Sequence, residues 1–206
     1  VGVKEERFLG RTDLPLSKDG IKQAERLRDR LALEKIDAIY ASPLKRARAT
    51  AEIIAAGHEA KVTLCNELCE CDFGEIEGLT FEEIEKRYPT LAQELIDRKL
   101  TAFPGGETVE QLNKRVKKFI KKLEKLKSEE TALVVAHGGP VRLIICNLLG
   151  LQVEQRVQMR VDHASLSIVE TYPGTAILSL LNDTSHLKGK KRIRYSYRGA
   201  GEKTGA

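Results

Sequence analysis

Apolar positions along this chain switch between two periods. Ile21, Ala24, Leu27 and Leu31 recur at helical spacing behind a candidate cap, Ser17, and predict a helix running to about Leu33. Residues 36–41 read as a short buried strand that ends at Ser42-Pro43, a cap followed by proline at the first helical position. The helix after it carries Arg46 in its first turn and Ala47, Ala51 and Ile54 on an inner face. Val62, Thr63 and Leu64 form a short strand. Thr80 with Glu83 and Thr90 with Gln93 have capping-box spacing and predict two short helices separated by Pro89. A third box, Thr108 with Gln111, opens an amphipathic helix to about Lys127 with Val109, Leu112, Val116, Phe119, Leu123 and Leu126 inward. Ala132-Leu133-Val134-Val135-Ala136 reads as a strand buried on both faces. His137, two glycines and Pro140 follow it, with Pro140 as the first residue of a helix to Leu149. Residues 165–171 and 175–181 form a hairpin turned at Tyr172-Pro173-Gly174. Strands alternating with helices predict an α/β fold, a three-layer α/β/α sandwich with a mostly parallel sheet.

Composition narrows this picture. The chain has 206 residues, 41% of them hydrophobic, which suits one domain burying roughly 70% of its unfolded surface. No apolar run approaches the length of a membrane span. Cys65, Cys69, Cys71 and Cys146 match no standard zinc spacing, so reduced thiols in a cytoplasmic protein are expected. The net charge of +5 is a local property. Residues 188–206 contain seven basic side chains against Glu202, so the remaining 187 residues sum to −1. The reading is a domain over residues 1–187 and a basic, disordered tail over 188–206. Nucleic-acid binding through that tail rests on charge alone.

Two places carry chemistry. His137 stands at the carboxyl end of a strand and beside a helix start, where α/β sheets bind ligands and exposed N–H groups favour anions. Ser42-Pro43 repeats the device, so two helix N-termini aimed at one crevice predict an anion site. An acidic loop, residues 68–78, has glycine at both turns.

Five segments occur in a telling order: Gly10-x-Thr12-Asp13-x-Pro15-Leu16-Ser17, Ser42-Pro43-Leu44-x-Arg46-Ala47-x-x-Thr50, Glu70-x-x-Phe73-Gly74-x-x-Glu77-Gly78, Pro104-Gly105-Gly106-Glu107 and Ala136-His137-Gly138-Gly139. Together they resemble the histidine phosphatase (phosphoglycerate mutase-like) superfamily over about residues 5–187. Residues 70–89 and the ending Leu181-Asn182-Asp183-Thr184-Ser185-His186-Leu187 look most like α-ribazole-phosphate phosphatases of cobalamin synthesis. The resemblance implies a metal-independent, cofactor-free phosphomonoesterase acting on a small phosphorylated metabolite. A histidine takes the phosphoryl group and water releases it. By position, Arg46 clamps the phosphoryl oxygens, His137 is the second histidine, Glu70 protonates the leaving alcohol, and Gly138 and Gly10 contribute to substrate binding. The residue types suit the roles: arginine offers a fixed bidentate cation to phosphate, and the acidic neighbours of Glu70 (Glu67, Asp72, Glu75, Glu77) are expected to raise its pKa.

The family's first signature, a strand ending in Arg-His-Gly-Glu-Thr, is expected about six residues ahead of Arg7-Phe8, and only residues 1–6 stand there. The nucleophile is therefore expected before Val1, with this chain an incomplete copy. His58, His163 and His186 are no obvious substitutes and read as structural or exposed. The run Arg192 to Thr204 echoes the missing strand, as a permuted chain would present it, but with Gly199 in the histidine's place. Two other functions remain open: a non-catalytic phosphate-ligand binding module, and a phosphoglycerate mutase, for which residues 68–107 look short.

Overall fold

A computed structural model describes residues 7–187. The expectations for residues 1–6 and for the basic stretch 188–206 lie outside the described residues.

Three parallel strands form the centre: β1 (Ala38–Ala41), β2 (Val62–Leu64) and β3 (Ala132–Val135), in the order β2-β1-β3. Strand alternation sorts their side chains onto two faces. Ile39, Ala41, Leu133 and Val135 pack against Leu27 and Leu31 of α1 (Lys18–Leu31) and Ala51 and Ile54 of α2 (Lys45–Ala55). Tyr40 and Val134 face the other way. On that side they meet α5 (Val109–Leu123) and α6 (Gly138–Leu148), which supply Leu112, Val116, Phe119 and Leu143. The Tyr40 ring stands edge-on to Phe119 with centroids 5.5 Å apart. The result is the three-layer α/β/α sandwich that the sequence predicts.

Two short helices, α3 (Phe81–Arg87) and α4 (Pro89–Ile96), supply Ile84, Leu91 and Ala92 to a separate cluster with Ile76 of the preceding loop, against which Phe8, Phe73 and Phe103 pack. The antiparallel hairpin β4 (Leu166–Tyr172) and β5 (Thr175–Asp183) completes the described residues. None of the described helices is long and apolar enough to cross a membrane.

Local chemistry explains most element starts. Ser17 accepts from the Gly20 amide, and Thr80–Glu83 and Thr108–Gln111 form complete capping boxes. Four expectations change. Thr90 caps nothing: Pro89 is the first residue of α4, where its missing N–H costs no bond, and Thr90 lies inside the helix. Pro140 is the third residue of α6, because the helix already begins at Gly138 and its first N–H groups need no intrahelical partner. Pro43 precedes α2, which starts at Lys45, and the Ser42 hydroxyl accepts from the Leu44 amide at 3.3 Å. Finally, β3 is only half-buried along its length. It pairs with β1 on one edge, and among the described residues no strand pairs with the other.

Candidate active site

Because the three strands run parallel, their carboxyl ends share one edge of the sheet. The Ser42 amide donates to the Val135 carbonyl at 3.0 Å, and the Cys65 amide to the Ala41 carbonyl at 2.8 Å. This register sets side by side the three segments that leave the sheet: Ser42 into α2, His137 into α6, and residues 65–70 after β2. Arg46, Glu70 and His137, distant in sequence, meet here.

His137 lies between Arg46 and Ser42. Arg46 Nε donates to His137 Nδ1 at 3.3 Å, so the ring proton sits on Nε2, 2.9 Å from the fully buried Ser42 hydroxyl. Burial, then the charges of Arg46, Arg115, Arg11 and His163, lower the imidazole pKa to about 3. His137 is neutral at neutral pH and presents an N–H that can turn from Ser42 to an incoming oxygen. A phosphate dianion placed against it would oppose the lowering, since an opposite charge favours the protonated ring.

Arg46 is wrapped by residues 9–12. Its Nη1 donates to the Thr12 carbonyl at 2.8 Å, and its Nη2 to the Gly10 and Leu9 carbonyls at 2.7 and 3.4 Å. That loop is fixed in turn by Glu77, whose carboxylate accepts from the Gly10 amide (3.1 Å), the Arg11 amide (2.6 Å), the Thr12 hydroxyl (2.8 Å) and the Phe73 amide (3.3 Å). These hydrogen bonds hold the Glu77 carboxyl below its usual pKa even though burial opposes them. Gly10 is buried, and a Cβ there would collide with the Cys71 carbonyl and the Glu77 carboxylate. Its amide is committed to Glu77 and its carbonyl to Arg46, which gives Gly10 a place behind the guanidinium.

Glu70 sits under the start of α6. Its Oε1 accepts from the Cys71 amide at 2.8 Å and its Oε2 from the Gly139 amide at 3.3 Å. The carboxyl pKa is raised, as the sequence predicts, but for a different reason. Desolvation raises it, while the two amides and the charges of Arg142 and Arg46 pull it down. The acidic neighbours are turned elsewhere: Glu67 to Lys122, Glu75 to Tyr88, and Glu77 to the 10–12 loop. Gly139 has no room for a side chain, since a Cβ would run into the Glu70 carboxyl. Gly138 is the first residue of α6, and His137 gives that helix no side-chain cap. The helix end thus keeps partial positive charge facing the edge where Arg46 and His137 lie.

Four parts of this arrangement escape the sequence reading. Ser42 reads as a cap and is the histidine's hydroxyl partner. Glu77 reads as one of several acidic loop residues and is the clasp of the 10–12 loop. Arg142 reaches back one turn, so that a Cβ on Gly138 would lie 3.1 Å from its Nη1. Arg115 is hidden by the lysines around it on α5. It makes a fork-to-fork ion pair with Glu107 (2.7 and 2.9 Å) and donates to the Glu67 and Glu70 carbonyls at 2.6 and 3.0 Å. The signal for Arg115 is its position: Val116 is fully buried, and 115 faces the same loop three residues below Leu112. His163 stays outside this set, exposed on the turn before β4, yet near enough for its charge to lower the His137 pKa.

With side-chain exposures of 15% and 12%, the Arg115–Glu107 pair is almost dry. Removing one member of such a pair strands the other charge. Arg115→Met is expected to cost about 3 kcal/mol of stability in urea unfolding, and adding Glu107→Gln to recover a good part of it. A cost below 1 kcal/mol would show that the pair is solvated.

Comparisons with known proteins place the chain in a family. A family model described as "Histidine phosphatase superfamily (branch 1)" matches residues 2–184. Phosphoserine phosphatase 1 of Hydrogenobacter thermophilus is 34% identical over 182 residues, which cover 88% of this chain and 86% of the relative. The adenosylcobalamin/alpha-ribazole phosphatase of Salmonella typhimurium is 29% identical, covering 85% of this chain and 87% of the relative. Among solved structures, the alpha-ribazole phosphatase of Shigella flexneri superimposes with a TM-score of 0.78 at 28% identity, over 86% of this chain and 88% of that one.

Proposed function

Since the chain belongs to the histidine phosphatase superfamily and several of its matched relatives are named as phosphatases, we propose that it is a metal-independent phosphomonoesterase that works through a phosphohistidine. What carries the reading is one observation: Arg46, His137 and Glu70 share the carboxyl edge of the parallel strands beside the uncapped start of α6.

Each group has a task that fits its surroundings. The ester's phosphoryl group sits on Arg46, His137 and the first amide of α6, which together neutralise its oxygens where water is scarce. A histidine nitrogen attacks phosphorus, and the bond to the ester oxygen breaks. Glu70, held toward its protonated form by desolvation, gives its proton to the leaving oxygen. Water then attacks the phosphohistidine, Glu70 takes the water's proton, and inorganic phosphate leaves. None of the described residues is given the role of the attacking histidine, which is expected before Val1. Small phosphomonoesters are the substrate class, and the names of the relatives put phosphoserine and α-ribazole phosphate first for trial.

The test has two parts. Calorimetric titration with inorganic phosphate is expected to show binding by this chain. Hydrolysis of p-nitrophenyl phosphate, with an acid-labile and alkali-stable phosphoenzyme, is then sought in this chain and in a form carrying any residues its gene encodes ahead of Val1. Binding without turnover in either form would make it a phosphate-ligand binding module. No binding in a folded protein would refute phosphate chemistry altogether.

A further inference from the structure

The loop that holds Arg46 presents a second guanidinium that the proposed reaction does not use. Residues 10–12 are fixed at several backbone and side-chain points by Glu77 and Arg46, so the Cα of Arg11 has little freedom. Its amide is spent on Glu77 at 2.6 Å, while its side chain is exposed and forms no ion pair or hydrogen bond among the described residues. The neighbouring carbonyls, those of Gly10 and Thr12, both accept from Arg46. A rigid backbone, flanked on both sides by carbonyls that hold the phosphate arginine, therefore carries an unengaged cation at the rim of the same site. Its field reaches across that site, since it lowers the pKa of both His137 and Glu107.

We propose that Arg11 forms a second anion subsite beside the phosphoryl position, so that the preferred substrate carries a carboxylate close to its phosphate ester. The proposal rests on the phosphatase reading and deepens it. The acidic groups nearby leave the cation unanswered. The Glu77 carboxylate is engaged by three amides and the Thr12 hydroxyl, Glu107 pairs with Arg115, Asp13 with Lys45, and Glu70 is held toward its neutral form. A phosphate dianion is met by Arg46, His137 and the helix start, and Arg11 is left for a second charge. A carboxylate fits it with two parallel hydrogen bonds. A phosphorylated hydroxy acid supplies one, and a nucleoside 5′-phosphate does not.

O-phosphoserine and O-phosphoethanolamine test this directly, because they share the amine and the phosphate and differ by the carboxylate. Calorimetric titration of the full chain is expected to show phosphoserine bound about tenfold more tightly, with the difference shrinking as salt is added. Arg11→Gln should abolish the tenfold preference and leave the affinity for inorganic phosphate and the urea midpoint unchanged. Equal binding of the two ligands by the unsubstituted chain, or a preference that survives Arg11→Gln, overturns the subsite. Inorganic phosphate weakened as much as phosphoserine also overturns it, by making Arg11 one more phosphate clamp. Binding of neither ligand and no binding of inorganic phosphate is a different result, for then the phosphatase reading itself has failed.

Discussion

Arg46→Ala is expected to lower kcat/KM for a phosphomonoester by about a thousandfold in any catalytically competent form of this protein. Removing one preorganised donor from a developing oxyanion typically costs 10²- to 10³-fold, and an arginine on a transferring phosphoryl group about 10³-fold or more. Here the guanidinium is also a strut. It holds the Gly10 and Thr12 carbonyls and orients His137 through Nδ1, so its loss frees the loop and the imidazole together. Lysine should recover little, because a point charge cannot span two carbonyls and a ring nitrogen. Stabilisation by phosphate gives a second readout that needs no turnover. Saturating phosphate should raise the unfolding midpoint of the unsubstituted chain and leave that of Arg46→Ala unmoved. Unchanged activity, or equal stabilisation of both proteins, would remove Arg46 from the site.

The same strut shows where the sequence is informative and where it falls silent. Helical and strand periods found the elements because burial alone sets them, and Ile39, Ala41, Leu133 and Val135 sit on the face that their alternation demands. Glycine and proline marked the site's turns, since Gly139 must admit a carboxyl group and Gly10 must lie against a carbonyl. Periodicity is blind to partners chosen across long separations. Nothing local says that Glu77 reaches back 66 residues to clasp the Arg11 amide, or that Arg115 leaves a lysine face for the Glu70 carbonyl. The raised pKa of Glu70 could be expected from charge crowding, and the direction holds. Its cause is desolvation under α6, a property of packing that no count of neighbouring acidic residues reveals. The half-buried β3 makes the same point for backbone: an apolar run predicts that a strand is covered, but pairing on both edges is a fact of topology.

Glu70→Gln separates proton donation from every other contribution. If Glu70 protonates the leaving oxygen, its removal matters in proportion to how badly that oxygen needs a proton. An alkyl phosphate releases a strongly basic alkoxide and should lose about 10³-fold in kcat, within the range of general acid catalysis. A p-nitrophenyl ester releases a stable anion and should lose far less in the same step. The amide keeps the carboxyl's shape and its oxygen can still accept from the Cys71 amide; only the 3.3 Å bond from the Gly139 amide loses its acceptor, and Arg46 and His137 are untouched, so binding of inorganic phosphate should change little. The pH profile gives the sign. A carboxyl that acts as an acid must hold its proton, so turnover of the alkyl ester should fall as pH rises through the raised pKa of Glu70, and that limb should vanish in Glu70→Gln. His137 cannot supply the limb in the free protein, because its pKa lies near 3 and the ring is already neutral well below that range. Equal losses for the alkyl and aryl esters, with the alkaline limb intact, would make Glu70 a structural support of the α6 start and leave the leaving group to be protonated by another donor.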